Sequence, residues 1–109
     1  MIHHVVMWRL RDEAKRDELL VLSERLQRNV RAMRDSVPGL IRLELATNQK
    51  PVSDAADLLL YSEFESWQAL RSYEVHPLHD ELRGLIGPMR IERRVVDYES
   101  ADDAQRPLR

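Results

Sequence analysis

The stretch YEVHPLHDEL, residues 73–82, concentrates side chains that can handle protons. It holds Tyr73 and two of the four histidines of the chain, His76 and His79. An unperturbed imidazole titrates at about pH 6.5, so a neutral histidine can take a proton from an acidic C–H group beside a carbonyl. A tyrosine hydroxyl can donate a hydrogen bond to the enolate oxygen that forms. The stretch therefore suits aldol-type ring closure or another reaction that passes through an enolate.

The same residues have an ordinary structural interpretation. His76 can cap a helix, and Pro77 suits the first helical position because its φ is already helical. His79 can bond to the backbone, and Tyr73 can be an amphipathic core residue whose hydroxyl has a partner. Taken singly, each residue favours the structural role, and His76 is assigned to it. A chemical role for Tyr73 and His79 depends on what the rest of the chain places opposite them.

Length and composition limit the class of protein. The 109 residues predict one domain, with 33% charged and 43% hydrophobic residues, an ordinary soluble composition. A net charge of −2 and scattered basic residues indicate no nucleic-acid surface. The absence of cysteine excludes disulfides and thiolate chemistry. Apolar runs are too short for a membrane span and the N-terminus lacks a signal-peptide pattern, so a cytoplasmic location is expected.

The spacing of apolar residues predicts four strands and three helical segments. A long helix ends at Pro38-Gly39, and a second helical region is split, with starts at Ser66 and Pro77. The predicted strands are residues 2–10, 40–47, 57–64 and 89–98. This βαββαβ order is typical of an α+β ferredoxin-like sandwich, in which a four-stranded antiparallel sheet has its helices on one face.

The periodicity also assigns two later residues to the inside. Alternation places Ile41 on the same side of its strand as Leu43. Helical spacing places Trp67 on the inner side of its helix together with Tyr73. Both assignments predict that these side chains contribute to the core.

The two faces of the first strand are both apolar. Its residues His4, Val6 and Trp8 are expected to point toward the helices. Val5 and Met7 then point to the other face, which should be polar if water covers it. The sequence therefore predicts a homodimer in which a second copy covers this face.

Three segments carry a family resemblance: HHVVMWRLRDE, DLLLYSEFESWQALRSYEVHPLH and RRVVDYE. The most specific part combines an aromatic residue, an Ala-Leu pair, a tyrosine and the pattern His-Pro-x-His. Together the segments resemble the stress-responsive α/β-barrel domain family, Dabb, over residues 1–98. Residues 99–109 are then a polar tail that we expect to be mobile. The resemblance implies a dimeric α/β barrel.

The resemblance implies no single activity. Members include plant stress proteins without an assigned reaction and the plant polyketide cyclase that makes olivetolic acid. In that cyclase a tyrosine, the second histidine of the motif and a strand histidine act without a metal or an organic cofactor. By motif position these roles would fall on Tyr73, His79 and His4 of this chain.

Periodicity places the same three residues on one side of the fold. His4 faces the helices, Tyr73 lies on an inner helical stripe, and His79 lies one turn into the next helix, so all three could share one cavity. The expected pocket-lining residues are Val6, Trp8 and Leu26. Because Trp8 would make such a pocket small, the substrate of the plant cyclase is a poor guide to the ligand.

Metal binding is disfavoured by geometry. His3 and His4 are adjacent on a strand and point to opposite faces, so they cannot share an ion. The late acidic residue Asp97 is expected to pair with Arg93 or Arg94 near the sheet edge.

Two functions follow from the sequence. One is a homodimeric protein whose small pocket binds a hydrophobic or keto-type metabolite, with a stress-related role. The other is a cofactor-independent cyclase, lyase or isomerase in which His79 is the general base and Tyr73 the oxyanion donor. Monooxygenases share the barrel architecture, but no residue of this sequence demands that activity.

Overall fold

The computed structural model describes residues 1–101, apart from the side chains of residues 16 and 17, and residues 102–109, most of the predicted tail, lie outside the described part. The predicted βαββαβ order is confirmed, with the second helical region split in two. In chain order the elements are β1 Ile2–Leu10, a π-helical turn Ala14–Glu18 leading into α1 Leu19–Ser36, β2 Leu40–Thr47, β3 Leu58–Phe64, α2 Trp67–Glu74, α3 Pro77–Ile86 and β4 Arg90–Glu99.

The four strands form one antiparallel sheet in the order β2-β3-β1-β4. Residues paired across strands share a face, so Val6 lies in one row with Leu60 of β3 and Val95 of β4. This face packs against the helices, as predicted. Because β4 is an edge strand with almost all of its residues exposed, the helix layer leaves the sheet open along that edge.

The core lies between the helices and the sheet. The inward stripe of α1 is almost completely buried, and its members are Leu22, Leu26, Val30 and Met33. Burial of each leucine contributes about 1.5–3 kcal/mol. Leu26, expected to line the pocket, lies in this core instead, because α1 packs against β2 and α3 and is closed off there.

The turn after α1 fixes the start of α2. Gly39 has a φ of 78°, and a Cβ there would approach the Cβ of Ala69 to 2.6 Å, so only glycine fits. Its carbonyl accepts the Glu65 amide at 3.0 Å. The predicted cap is also present, since the Ser66 hydroxyl accepts the Ala69 amide at 3.1 Å. These contacts pin α2 to the end of the sheet.

Two sequence-based core assignments are wrong. Ile41 is 50% exposed because a β-bulge between Leu40 and Arg42 adds a residue to β2 and breaks the alternation. Trp67 is 41% exposed, since six residues of helix turn through about 600°, which leaves it roughly 120° away from Tyr73.

None of the described helices covers the other face of the sheet, which is partly apolar, as the sequence predicted. Val5 lies opposite Val96, and Met7 lies opposite Leu59. Val96 is 55% and Met7 38% exposed in the single chain. We call this surface, centred on Val5, Met7, Leu59 and Val96, the outer face.

A buried histidine organises the start of the outer face. The two ring nitrogens of His3 form hydrogen bonds of 2.7 Å with the hydroxyls of Tyr61 and Ser100. Its ring stacks on Tyr98 with the centroids 4.5 Å apart. The Tyr61 hydroxyl donates to Glu63 at 2.8 Å. Because Ser100 takes part in this cluster, ordered structure continues past residue 98.

Candidate ligand-binding cleft

A cleft of about 330 Å³ lies between the sheet and the α2–α3 pair. Its floor comes from β1 and β3, its wall from α2 and α3, and its open side lies along β4. The lining residues are His4, Val6, Trp8, Leu60, Tyr73, His79, Leu82, Arg83, Ile86, Gly87, Arg90 and Arg93. The volume is at the small end of the range of about 300–1,000 Å³ for small-molecule pockets.

Strand alternation supplies the floor. His4, Val6 and Trp8 occupy every second position of β1, so all three face the helices. The structure thus brings His4 to the same cleft as Tyr73 and His79, and it places the expected lining residues Val6 and Trp8 there. Trp8 narrows this cleft without filling it.

A short connection between two helices brings Tyr73 and His79 together. Tyr73 is in the last turn of α2 and His79 in the first turn of α3. Between them His76 caps α3, with its Nδ1 accepting the Leu78 amide at 3.1 Å, and Pro77 takes the first helical position. The rings of Tyr73 and His79 meet edge to face, with centroids 4.6 Å apart. The predicted structural role of His76 is confirmed.

Two polar atoms of the cleft are buried without a partner in the described part of the chain. They are the hydroxyl of Tyr73 and the Nδ1 atom of His79. Tyr73 is fully buried and His79 only 6% exposed. An unsatisfied buried polar group costs about 1–3 kcal/mol, and native proteins contain few of them. Unpaired polar atoms that line a cleft mark a place where a ligand can supply the missing hydrogen bonds.

The cleft keeps both side chains neutral at pH 7. Burial raises the pKa of Tyr73 well above its ordinary value. Burial is also the main reason why the pKa of His79 falls to about 4, and Arg83, His4 and Arg93 lower it further. Asp80 opposes this shift only in part. The site therefore presents an uncharged phenol beside an uncharged imidazole.

The second histidine of the cleft, His4, is held by an acid. His4 and Asp97 are opposite each other on β1 and β4, and His4 Nδ1 pairs with Asp97 Oδ1. The bond directs the other ring nitrogen of His4 away from Asp97, and its ring lies edge-on to Tyr73 with centroids 6.0 Å apart. The expected partners of Asp97, Arg93 and Arg94, are wrong, because the register of β4 gives it His4.

Sequence reasoning missed the arginines of the cleft. Arg83 lies four residues after His79 on α3, a spacing that puts both on one helix face and could have revealed it. Arg93 shares the face of Asp97 by alternation, but its place beside Trp8 depends on the β1–β4 register. Only the fold shows that both side chains line one cleft.

Neither a membrane span nor a metal cluster is found in the described part of the chain. No helix there combines the length and apolar character that crossing a bilayer requires. The same residues contain no group of three or more histidine and acidic side chains arranged to hold an ion.

The fold and the cleft define a class: an α+β, ferredoxin-like domain with a small cleft between one sheet face and its helices. The sequence matches the Stress responsive A/B Barrel Domain, Dabb, over residues 2–100. The chain therefore belongs to the Dabb family.

Solved structures share this fold. A dimeric protein of unknown function with a ferredoxin-like fold from Bacteroides fragilis has a TM-score of 0.82 and 26% identity, over 91% of this chain and 95% of its own. A Dabb family protein from Mesorhizobium loti has a TM-score of 0.68 and 21% identity, over 92% and 96%. An antibiotic biosynthesis monooxygenase has a TM-score of 0.75 and 17% identity, over 93% and 99%. No protein of curated function matches the sequence.

Proposed function

We propose that this chain is a homodimeric Dabb protein whose cleft binds a small keto-type metabolite. The observation that carries the proposal is the buried, unpartnered hydroxyl of Tyr73. A hydroxyl without a partner needs an acceptor for its proton, and a ketone oxygen can accept that hydrogen bond. The apolar walls suit the carbon skeleton of such a ligand, and they are formed by Val6, Trp8, Leu60, Leu82 and Ile86.

The unpartnered nitrogen of His79 adds to this preference. A neutral imidazole offers one donor and one acceptor, so His79 can bond to the enol form of a ketone as well as to the keto form. Because its pKa is about 4, the ring stays uncharged over the physiological range and makes no ion pair of its own. The pair of Tyr73 and His79 therefore favours a carbonyl compound that can enolise.

The homodimer is supported by the outer face and by the fold. Partly exposed apolar residues cluster there, including Val96 and Met7. The Bacteroides fragilis protein of similar fold is described as dimeric. In the proposed dimer the outer faces of two copies pack together and form an α/β barrel. Light scattering at micromolar concentration tests this, and a mass equal to a single chain contradicts it.

Two matched neutral amides test the ketone preference. Levulinamide carries a ketone, whereas pentanamide has the same chain length without it. We expect levulinamide to bind about fivefold more tightly in calorimetric titrations, the worth of one neutral hydrogen bond. Tyr73→Phe should abolish the difference, because it removes the donor and keeps the ring.

The control is Tyr61→Phe, which removes a hydroxyl on the opposite side of the sheet. It should leave the ratio of the two amide affinities unchanged. Equal binding of levulinamide and pentanamide to the unmodified protein would overturn the proposed function.

A second candidate function, enolisation catalysis, is favoured by the edge-to-face contact between neutral His79 and Tyr73. His79 would take a proton from the carbon beside the carbonyl, and the C–H electron pair would form the C=C bond. The carbonyl oxygen would become an enolate that accepts the Tyr73 hydrogen bond. Return of the proton to the opposite face of the same carbon completes an isomerisation, here an epimerisation. With a pKa of about 4, His79 is a weak base for this step, so binding remains the first proposal.

Deuterium exchange tests the second candidate without a known reaction. The protons beside the ketone of levulinamide exchange slowly in D₂O, and NMR measures their loss. An enolising site should accelerate exchange by about 100-fold, and His79→Ala should remove the acceleration while circular dichroism stays unchanged. Equal exchange with the unmodified protein and with His79→Ala excludes catalysis by this residue.

A further inference from the structure

Positive charge gathers at the open side of the cleft. Arg83 comes from α3, Arg90 from the start of β4, and Arg93 from the helix-facing row of β4. Arg93 pairs in register with Trp8, so it borders the floor of the cleft. No acidic residue is among the lining residues of the cleft in the described part of the chain.

The three arginines differ in what they already bind. Arg83 forms an ion pair with Asp80 at 2.9 Å and donates to the Glu74 carbonyl at 3.1 Å, so it is largely occupied. Among the side chains that the structure describes, Arg90 and Arg93 form no ion pair with an acidic partner. Two guanidinium groups at the mouth of the cleft are therefore available to an external anion.

Arginines on the opposite side of the same sheet behave differently. Arg94, next to Arg93 in sequence, points to the outer face and pairs with Glu92 at 3.4 Å. Arg9 of β1 pairs with the same Glu92 at 3.3 Å. Arg9 and Arg94 of the outer face thus share an acidic partner, whereas the cleft keeps an excess of positive charge.

The acids near the cleft do not cancel this excess. Asp80 is paired with Arg83, and Asp97, which is held by His4 on the helix-facing row of β4, adds one negative charge against the two charges of Arg90 and Arg93. The positive charges of Arg83 and Arg93 also reach the inner end of the cleft, where both oppose protonation of His79. The electrostatic field along the cleft therefore favours a ligand with a negative end at the mouth.

We propose that the ligand is a small keto compound that also carries an oxyanion group, bound by Arg90 and Arg93 while its ketone reaches Tyr73. This inference rests on the proposed function, which supplies the ketone of the ligand, and it adds an oxyanion group at the other end of the same molecule. A guanidinium group binds a carboxylate or a phosphate through two parallel hydrogen bonds, so both kinds of oxyanion fit. The ligand class is accordingly a keto acid or a keto phosphate.

Four probes separate the two halves of the ligand. Levulinate has ketone and carboxylate, levulinamide only the ketone, pentanoate only the carboxylate, and pentanamide neither. We expect levulinate to bind about tenfold more tightly than levulinamide at low ionic strength, because hydrogen bonds to charged groups are the stronger ones. The advantage should shrink in high salt, which screens exposed charges.

The outcomes for the two proposals are distinct. If levulinamide binds as tightly as levulinate, the claim that the ligand carries an oxyanion is wrong, even when the ketone preference holds. If pentanoate binds as tightly as levulinate, the claim that the site recognises a ketone is wrong, and the proposed function fails with it. Dihydroxyacetone phosphate and dihydroxyacetone repeat the comparison for phosphate, and the larger of the two anion effects identifies the oxyanion.

Substitutions locate the anion site. Arg93→Gln should weaken levulinate about fivefold, the scale of one exposed charge pair, and leave levulinamide unchanged. Arg71→Gln is the matched control, because it removes the same charge from an exposed position of α2 outside the cleft. An equal loss of levulinate affinity in both variants would assign the effect to net charge and overturn the site. No loss in the combined Arg90→Gln and Arg93→Gln variant would overturn it as well.

Discussion

The two faces of the sheet differ in whether their buried polar groups have hydrogen-bond partners. On the outer face His3 has a partner at each ring nitrogen and a stacked ring beside it. In the cleft the hydroxyl of Tyr73 and Nδ1 of His79 have none. Both histidines, His3 and His79, are buried, and each lies beside a tyrosine. The difference shows that composition alone does not identify a binding site, whereas the accounting of hydrogen bonds does.

The same contrast holds for charge. Glu92 pairs with both Arg9 and Arg94 on the outer face, but Arg90 and Arg93 at the cleft have no acidic partner among the described side chains. A surface with paired charges and exposed apolar residues fits a protein partner. A cleft with unsatisfied donors and unbalanced cations fits a small polar ligand. The two faces of one sheet thus suit two kinds of binding partner, a protein on the outer face and a small molecule in the cleft.

The largest effect should come from a charge placed on the outer face. Val5→Asp puts a carboxylate into the proposed dimer interface, where it would be buried without a partner. We expect the dimer dissociation constant to rise by at least about 100-fold, measured by sedimentation or light scattering over a dilution series. Val21→Asp, at an exposed position of α1, is the control and should leave the dimer intact. An intact Val5→Asp dimer would place the interface elsewhere.

The pH dependence of the free energy of unfolding should reveal that His79 is buried in the cleft. His79 has a pKa of about 4 when folded, against about 6.5 in an unfolded chain. Between these values the unfolded state binds more protons, so stability is fully present above about pH 6.5 and is lost as the pH falls toward 4. Urea unfolding at fixed protein concentration should show this slope, and His79→Gln should flatten it. An unchanged slope in the variant would mean that His79 is not buried as described.

Loss of the acid beside His4 should be the next largest effect. Asp97→Ala leaves His4 Nδ1 buried without its partner, at a cost of about 2 kcal/mol in the free energy of unfolding. Asp97→Asn keeps an acceptor oxygen and should cost clearly less. Chemical denaturation measures both, and equal losses would show that the charge of Asp97 matters more than its hydrogen bond.

The smallest effect is the sharpest test of the comparison, because the same substitution should act differently on the two faces. Tyr61→Phe removes bonds to His3 and Glu63 and should cost about 1 kcal/mol. Tyr73→Phe removes only an unpartnered hydroxyl, so in the absence of ligand it should be neutral or stabilise by up to about 1 kcal/mol. Thermal unfolding compares them. A larger loss for Tyr73→Phe than for Tyr61→Phe would contradict the contrast.

Much of the site could be predicted from local sequence. His76 and Pro77 start α3, and Tyr73 and His79 lie on either side of that start, so their proximity follows from the short connection alone. His4 faces the helices because alternation on β1 requires it. These are properties of neighbouring residues, and the physics of helix caps and strand pleats is local.

The rest depended on contacts between distant parts of the chain. Leu26 has a clear helical period, yet only packing decides that it lies in the α1 core and not at the cleft. Ile41 alternates correctly in sequence, but the bulge in β2 removes it from the core. Asp97 meets His4 only through the register of β4 against β1.

By itself the sequence determined the order of strands and helices, the faces of β1 and the pairing of Tyr73 with His79. Only the tertiary structure decided that the space beside them is open, that Asp97 holds His4, and that Arg90 and Arg93 border the mouth. The reason is physical. Periodicity and capping act over a few residues, whereas strand register and the volume left between packed layers are set by the whole core at once.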